Sequence, residues 1–226
     1  MDFRKNDHQG KISFSQCGED LIADFIFSCM EPTKKSGKYL DIGAHHPSYL
    51  NNTLIFYRKE WGGINVEPLK DNIELFFRER PIDINLNIGI GVESGIKKFY
   101  RMDAETLSTF NADVARENET FGHKIVAVEE IKILSVDDFI AEFRITNDID
   151  LLSIDIEGKT YNILKRFFEK GIRPKVMIVE TVFYTPDLRD AQKDNELIRS
   201  ISAADYTLYA DTFINSIFIA NEFYRK

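Results

Sequence analysis

The sequence predicts an α/β fold: a doubly wound, mostly parallel seven-stranded sheet with helices on both faces and an antiparallel last strand. Seven short apolar runs rich in β-branched residues alternate with helical patterns, and such alternation is typical of a parallel sheet. The first five runs are almost continuously apolar, which indicates strands buried on both faces. The seven runs cover residues 38–44, 62–68, 82–91, 150–158, 175–181, 206–211 and 216–221.

Helix signals lie between most of these runs. Ser135 and Asp138 form a capping-box pattern at the start of one segment, and Gly171 follows another, as glycine often follows a helix. Only residues 212–215 separate the last two runs, too few for a helix, so these strands should pair antiparallel. The predicted helices cover residues 18–30, 70–80, 135–143, 160–171 and 194–205.

The 226 residues, 43% of them hydrophobic, suffice for one sizeable core. Without a repeat or linker, we expect a single domain over 1–226, with an N-terminal helical cap at about 14–30 and an insertion at about 95–134. Residues 95–102 follow a turn and should form a hairpin with the third strand. The rest of the insertion should lie over the carboxyl ends of the strands, where such sheets bind ligands.

Charge and composition exclude several classes of protein. The 29 basic and 37 acidic residues give a net charge of −8, without the basic patch of a nucleic-acid binder. No segment approaches the roughly 18 apolar residues of a membrane span, and the N-terminus lacks the apolar region of a targeting signal. We therefore expect a cytoplasmic protein with no nucleic-acid partner and no membrane span, whose two cysteines are free thiols.

Acidic residues end the first two predicted strands. The first strand ends in Asp41-Ile42-Gly43-Ala44, and the second ends in Glu67-Pro68. A carboxylate at the second strand end can accept hydrogen bonds from both hydroxyls of a ribose. Together the two carboxylates fit an adenosine-type ligand such as S-adenosylmethionine (SAM) or NAD. The glycines that a dinucleotide fingerprint needs after Gly43 are missing, which weakens the NAD interpretation. A plain strand-end turn is the structural alternative.

Two further clusters have chemical potential. Asp155 and Glu157 end the fourth strand on the same face, where they could bind a divalent cation, act as a base, or cap the next helix. His45 and His46 follow Gly43, and an imidazole can accept a hydroxyl proton at neutral pH. The alternative for both histidines is hydrogen bonding within the loop.

These motifs occur together in an order that resembles one known family. The segments are "FSQCGEDLIADFIF" (14–27), "KYLDIGAHHPSYLNNTLIFYRKEWGGINVEP" (38–68), "LSTF" (107–110), "DLLSIDIEGKTYNILK" (150–165) and "VMIVE" (176–180). Over about residues 14–180 the chain resembles the FkbM-type methyltransferases, a branch of the class I SAM-dependent O-methyltransferases with a Rossmann-like fold. The chain departs from the usual pattern of the family at Cys17, Asn51 and Lys159-Thr160. Because of these departures, the resemblance does not identify the acceptor substrate.

The resemblance implies roles for residues of this chain. It implies a SAM site in which Glu67 holds the ribose and Gln16 and Glu19 close over the ligand. A divalent cation such as Mg²⁺ would bind Asp155 and Glu180, with Glu157 nearby. The catalytic candidates are His45, His46 and Asp155. The residues expected around the cofactor are Gln16, Glu19, Asp41, Gly43, Ala44, Glu67, Asn87, Ile88, Gly89 and Asp155.

The expected activity is methyl transfer to a hydroxyl of a sugar or another small polar acceptor, in surface-polysaccharide or secondary-metabolite biosynthesis. An NAD-dependent oxidoreductase and a non-catalytic methyltransferase-like partner subunit are the alternatives. We also expect that an apolar sheet edge at 216–221 could support a homodimer.

Overall fold

The computed structural model describes residues 10–156, 160–183, 189 and 191–225. Within these ranges the helices are α1 (Glu19–Met30), α2 (Leu54–Tyr57), α3 (Lys70–Glu79), α4 (Ala112–Thr120), α5 (Val136–Phe143), α6 (Thr160–Glu169), α7 (Asn195–Ala203) and α8 (Asn221–Tyr224), with a 3-10 turn at Glu105–Leu107. The strands are β1 (Lys38–Ile42), β2 (Gly62–Val66), β3 (Ile84–Leu86), β4 (Gly89–Gly91), β5 (Gly95–Met102), β6 (Ile125–Ser135), β7 (Leu151–Ile154), β8 (Val176–Glu180), β9 (Val182–Phe183), β10 (Gln192–Lys193), β11 (Tyr206–Asp211) and β12 (Asn215–Ala220).

The main sheet has seven strands in the order β11-β12-β8-β7-β1-β2-β3. Strands β3, β2, β1, β7 and β8 pair in parallel, whereas the last strand, β12, is antiparallel to both β8 and β11. The predicted fold class is therefore confirmed, including the antiparallel pairing of the last two strands. Ile42 is aligned with Val66 on one side and with Ile154 on the other, which brings the residues after these strands to one edge.

The core lies on both faces of this sheet, as the apolar runs predict. All four residues of β7 are buried, and Val176–Val179 of β8 are buried as well. Helix α6 presents Ile163, Leu164 and Phe167 to the core at helical spacing. Each such fully buried side chain contributes about 1.5–3 kcal/mol through removal of apolar surface from water. The core thus makes the strand ends a rigid base for a site.

The local helix signals are also correct. The Ser135 hydroxyl accepts a hydrogen bond from the Asp138 backbone N–H at 3.1 Å, as expected of an N-cap residue. After α6, Gly171 has φ +75°, a left-handed conformation that glycine adopts without strain. The sequence therefore fixes both the beginning of α5 and the end of α6.

The structure corrects the prediction for residues 82–91 and for the insertion. The run at 82–91 is two strands, β3 at the edge of the main sheet and β4 in a second sheet. Residues 95–102 do form a strand, β5, but it pairs with β6 in the order β4-β6-β5 rather than with the third strand. Strand β6 lies between them; its first half alternates between partly buried and exposed positions, and Ile131, Ile133 and Leu134 in its second half are buried.

The apolar segment at 216–221 is not a sheet edge. Strand β12 lies between β8 and β11, and all six of its residues are buried. The expectation of a dimer through this segment is therefore wrong, because its backbone groups are already paired on both sides. Within the described ranges, no helix has both the length and the apolar character needed to cross a membrane.

Candidate active site

A cavity of about 830 Å³ lies above the carboxyl ends of β1, β2, β7 and β8. This volume suits a cofactor with a small substrate. Part of its wall comes from residues 97–114, including Phe99 and Phe110, so that segment does lie against the carboxyl ends of the strands. The parallel register accounts for the location, since side chains that end neighbouring parallel strands meet at the same edge.

Four carboxyl groups form a row across the base of this cavity, one from each of four neighbouring strand ends. In sheet order they are Glu180, Asp155, Asp41 and Glu67, and we call them the carboxyl row. Burial is the main cause that raises the pKa of Asp41, Glu67 and Asp155, and repulsion between carboxylates adds to it at Glu67 and Asp155. Asp155 is exposed to the cavity, although the protein atoms around it still remove part of its hydration.

Glu67 is fixed by two backbone hydrogen bonds. One carboxyl oxygen accepts from the Leu69 N–H at 2.7 Å and the other from the His45 N–H at 2.8 Å. These bonds join the loop after β1 to the start of α3. Burial nevertheless raises the pKa of Glu67 to about 8. Each oxygen keeps a second lone pair, so the group can still accept hydrogen bonds from a ligand.

Asp41 is connected to a buried arginine through one hydroxyl group. The Thr53 hydroxyl donates to the Asp41 carboxyl at 2.7 Å and accepts from Arg80 Nη1 at 2.8 Å. Arg80 Nη2 donates to Asn51 Oδ1 at 2.7 Å and to the Pro47 carbonyl. The guanidinium thus holds the loop after β1 and places a positive charge behind Asp41.

Sequence reasoning missed this arrangement. Arg80 is wholly buried and lies over the rings of Phe76 and Tyr57, at 5.1 and 5.6 Å from their centroids. In the sequence it follows the polar end of α3 and looks like a solvated charge. Asn51 attracted notice only as a departure from a family pattern, although its amide also donates to the carbonyls of Ala44 and His46.

The backbone around Gly43 leaves no room for a side chain at this position. Its φ is +79°, and a Cβ atom there would lie 2.0 Å from the Asp155 carbonyl oxygen. The Gly43 and Ala44 N–H groups both donate to the Val66 carbonyl, at 3.0 and 3.1 Å. This geometry requires glycine and brings the loop close to the ends of both neighbouring strands.

The two histidines differ in position. The His45 side chain lines the cavity, and burial lowers its pKa, opposed by the nearby Glu105 carboxylate and by a hydrogen bond with the Tyr49 carbonyl. His46 is absent from the described lining. Its Nδ1 accepts hydrogen bonds from the Ser48 and Tyr49 N–H groups, both at 3.1 Å. His45 therefore lies beside the cavity, whereas His46 makes its hydrogen bonds within the loop.

The family comparison agrees with this geometry. The model of the methyltransferase FkbM domain matches residues 41–208. The chain belongs to the FkbM methyltransferase family. The predicted family is thereby confirmed, and the described lining residues of the cavity other than Gln16 lie within the matched part.

Three solved structures to which the chain is similar are distant in sequence. A crystal structure of monomeric WbdD is 15% identical with a TM-score of 0.46, covering 91% of this chain and 41% of that one. The small RNA methyltransferase HEN1 is 10% identical with a TM-score of 0.41, covering 96% and 28%. A human methyltransferase 10 domain containing protein is 10% identical with a TM-score of 0.36, covering 90% and 82%.

This FkbM-family chain thus spans less than half the length of the first two structures. No curated protein matches the sequence.

Most of the expected cofactor residues line the cavity of this FkbM-family chain, and two do not. Glu19 is fully buried and accepts hydrogen bonds from the Thr212 hydroxyl at 2.7 Å and from Asn215 Nδ2 at 3.1 Å. It therefore ties α1 to the end of the sheet instead of closing over a ligand. Asn87 Nδ2 donates to the Glu67 carbonyl at 3.0 Å and lies behind the cavity. The expected residues that do line the cavity are Gln16, Asp41, Gly43, Ala44, Glu67, Ile88, Gly89 and Asp155.

The described residues give the expected Mg²⁺ site no support. Among them, no three His, Cys, Asp or Glu side chains are grouped closely enough to hold a metal ion. Burial raises the pKa of Asp155, and the neighbouring Glu180 carboxyl group acts in the opposite direction. Glu157, the third expected ligand, lies outside the described residues.

Proposed function

We propose that this chain is a SAM-dependent O-methyltransferase that acts on a hydroxyl of a sugar or another small polar acceptor. Membership of a methyltransferase family supports the reaction class. The observation that carries the finer proposal is the position of His45, which lines the same cavity as the carboxyl row. The lowered pKa of His45 keeps its ring neutral at pH 7, the form that can accept a hydroxyl proton.

The residues at the strand ends fit a SAM molecule. Glu67 would accept hydrogen bonds from the two ribose hydroxyls through the lone pairs left free by its backbone partners. Ile88 and Gly89, which line the cavity beyond β3, would lie beside the adenine. Asp41, with Arg80 behind it, would attract the ammonium of the amino-acid part. When bound, SAM supplies a methyl group on a positively charged sulfur, already activated for transfer.

The chain itself then has two tasks. The cavity must hold the acceptor oxygen in line with the methyl group, since positioning supplies much of the rate in such reactions. His45 must take the proton that the acceptor hydroxyl loses. Its backbone N–H is fixed on Glu67 and its φ is +54°, so the residue that would hold the ribose also positions the base.

Binding measurements test the cofactor proposal directly. We expect S-adenosylhomocysteine (SAH) to raise the melting temperature and to give a calorimetric binding signal, whereas NAD should do neither. NAD binding in place of SAH would favour the oxidoreductase alternative. SAH binding with no methyl transfer to any hydroxyl acceptor would favour the non-catalytic partner subunit.

The wider setting belongs to the same proposal. We place the reaction in the cytoplasm, in the biosynthesis of surface polysaccharides or secondary metabolites, on the basis of the family resemblance. A homodimer, if it forms, must use a surface other than β12, because that strand is paired on both sides. Light scattering on the purified chain measures its oligomeric state.

A further inference from the structure

The charges around the cavity are strongly unbalanced. Six carboxyl groups line it: the four of the carboxyl row, together with Glu105 and Asp194. Among the described lining residues there is one lysine, Lys97, and no arginine. Lys97 stands on β5 in the smaller sheet, away from the row of strand ends. Burial raises the pKa of Asp41, Glu67 and Asp155, so the carboxyl row carries less than its full charge at pH 7, but acidic groups still outnumber the one lysine in the described part of the cavity.

Phosphate groups are usually bound by arginine, by lysine or by free N–H groups at helix N-termini. Of the helices that begin beside the cavity, α4 and α7 are capped by side chains. Asn111 accepts a hydrogen bond from the Asp113 N–H at the start of α4. The Asp194 carboxylate accepts from the Leu197 N–H at the start of α7, which puts a negative charge there. Neither N-terminus is arranged for an anion.

Aromatic side chains line the same cavity and remain accessible. Tyr161 and Phe183 are 44% and 59% exposed, and both are lining residues. Exposed aromatic rings at a cavity suit a ligand with an apolar face and a polar edge. A sugar ring or a polyol chain has this character, with its C–H groups on one face and its hydroxyls around the rim.

From these observations we propose that the acceptor is an unphosphorylated sugar or polyol, uncharged or carrying an ammonium group, that packs on Tyr161 and Phe183. The carboxyl row would repel a phosphate, which carries a charge of about −1.5 to −2 at pH 7. The same row would tolerate or attract an ammonium. This inference rests on the proposed methyl transfer and adds the charge class of its substrate.

Matched acceptors test the inference. Several hexoses are each offered as the methyl glycoside, the amino-deoxy methyl glycoside and the 6-phosphate, and transfer of a radiolabelled methyl group from SAM is measured. We expect kcat/KM for each phosphate to be at least about tenfold below that of its neutral partner, and the amino form to equal or exceed the neutral one. The difference should shrink as salt is raised, because screening weakens repulsion.

A substitution at Tyr161 tests the aromatic contact separately. Tyr161→Ala should raise KM for the neutral acceptor severalfold and leave the SAH dissociation constant within about twofold, a split that loss of folding does not produce. Tyr209→Ala is the matched control, because Tyr209 is 37% exposed but does not line the cavity. Equal effects of the two substitutions on KM would overturn the aromatic part.

Binding of two cofactor analogues measures the charge preference of the cavity without any acceptor. Sinefungin carries an ammonium where SAH carries only a neutral sulfur, so it should bind at least about tenfold tighter by calorimetry. Tighter binding of SAH, or fastest transfer to a phosphorylated sugar, overturns the inference, and so does SAH binding with no transfer to any sugar. If neither SAH nor sinefungin binds, the proposed function itself fails.

Discussion

Replacement of Arg80 by methionine should destabilise the protein more than replacement of an exposed arginine. The substitution removes three hydrogen bonds donated by a buried guanidinium, to Thr53, Asn51 and Pro47. Bonds from a charged donor contribute about 1.5–3 kcal/mol each, but methionine also removes the cost of burying a charge. We therefore expect a net loss of about 3 kcal/mol in the free energy of unfolding, within the range measured when a buried charge loses its partner.

The cofactor site should weaken together with stability. Without Arg80, Asp41 loses the positive charge that favours its ionised form, and the loop that carries His45 loses its anchor. We expect SAH to bind at least about tenfold more weakly, which corresponds to about 1.4 kcal/mol. Arg80→Lys should recover part of this affinity through its charge, but little of the stability, since lysine cannot reproduce the planar fork of donors.

Chemical denaturation and calorimetry measure the two effects on the same samples. Arg78→Met is the matched control, because Arg78 is exposed and lies in the last turn of the helix that Arg80 follows. This substitution should change the free energy of unfolding by no more than about 0.5 kcal/mol. A free energy of unfolding for Arg80→Met within 1 kcal/mol of the parent value, with unchanged SAH affinity, would refute the reasoning.

Four other outcomes follow from the site. Glu67→Ala should weaken SAH binding at least about tenfold by calorimetry, since two ribose hydrogen bonds lose their acceptor; unchanged affinity in a folded variant would contradict the assignment. The pKa of Glu67 rises to about 8 on folding, so the folded state holds an extra proton between about pH 4.5 and 8. The free energy of unfolding without ligand should therefore fall as pH rises through that window, and Glu67→Gln should flatten the slope seen in denaturation curves. His45→Ala should lower kcat about 100-fold or more, whereas His46→Ala should keep most of the activity, and the kcat of His46→Ala should be flat above about pH 6.5. A larger loss of kcat in His46→Ala than in His45→Ala would exchange the roles of the two histidines. Because the described residues group no three possible metal ligands, activity should persist in EDTA, and loss of turnover that Mg²⁺ restores would reinstate a metal site.

The strand ends were predictable because parallel register needs little information. Once 38–42, 62–66, 151–154 and 176–180 are strands of one parallel sheet, the residues that follow them must meet at one edge. The row of carboxyl groups follows from sequence position alone. Its separation into the buried Asp41 and Glu67 and the more accessible Asp155 and Glu180 could not be predicted, since that depends on how the loops fold over the edge.

Long-range polar contacts mark the limit of sequence reasoning. Glu19 looked like a residue that closes over the ligand because it lies beside Gln16, yet its partners Thr212 and Asn215 are almost 200 residues away. Arg80 gave no signal at all, because a buried arginine and a solvated one look alike in a sequence. Both errors concern charged side chains whose partners come from another element, which periodicity cannot detect.

The structure also shows why the loop after β1 carries so much of the proposed function. Its conformation is held from three sides: Gly43 packs on the end of β7, Glu67 binds the His45 N–H, and Arg80 binds the Asn51 side chain. A left-handed residue such as His45 is strained and persists only when its surroundings fix it. The residues proposed to hold the ribose and to support Asp41 therefore also fix the base, so cofactor affinity and turnover should fall together when any one of these contacts is removed.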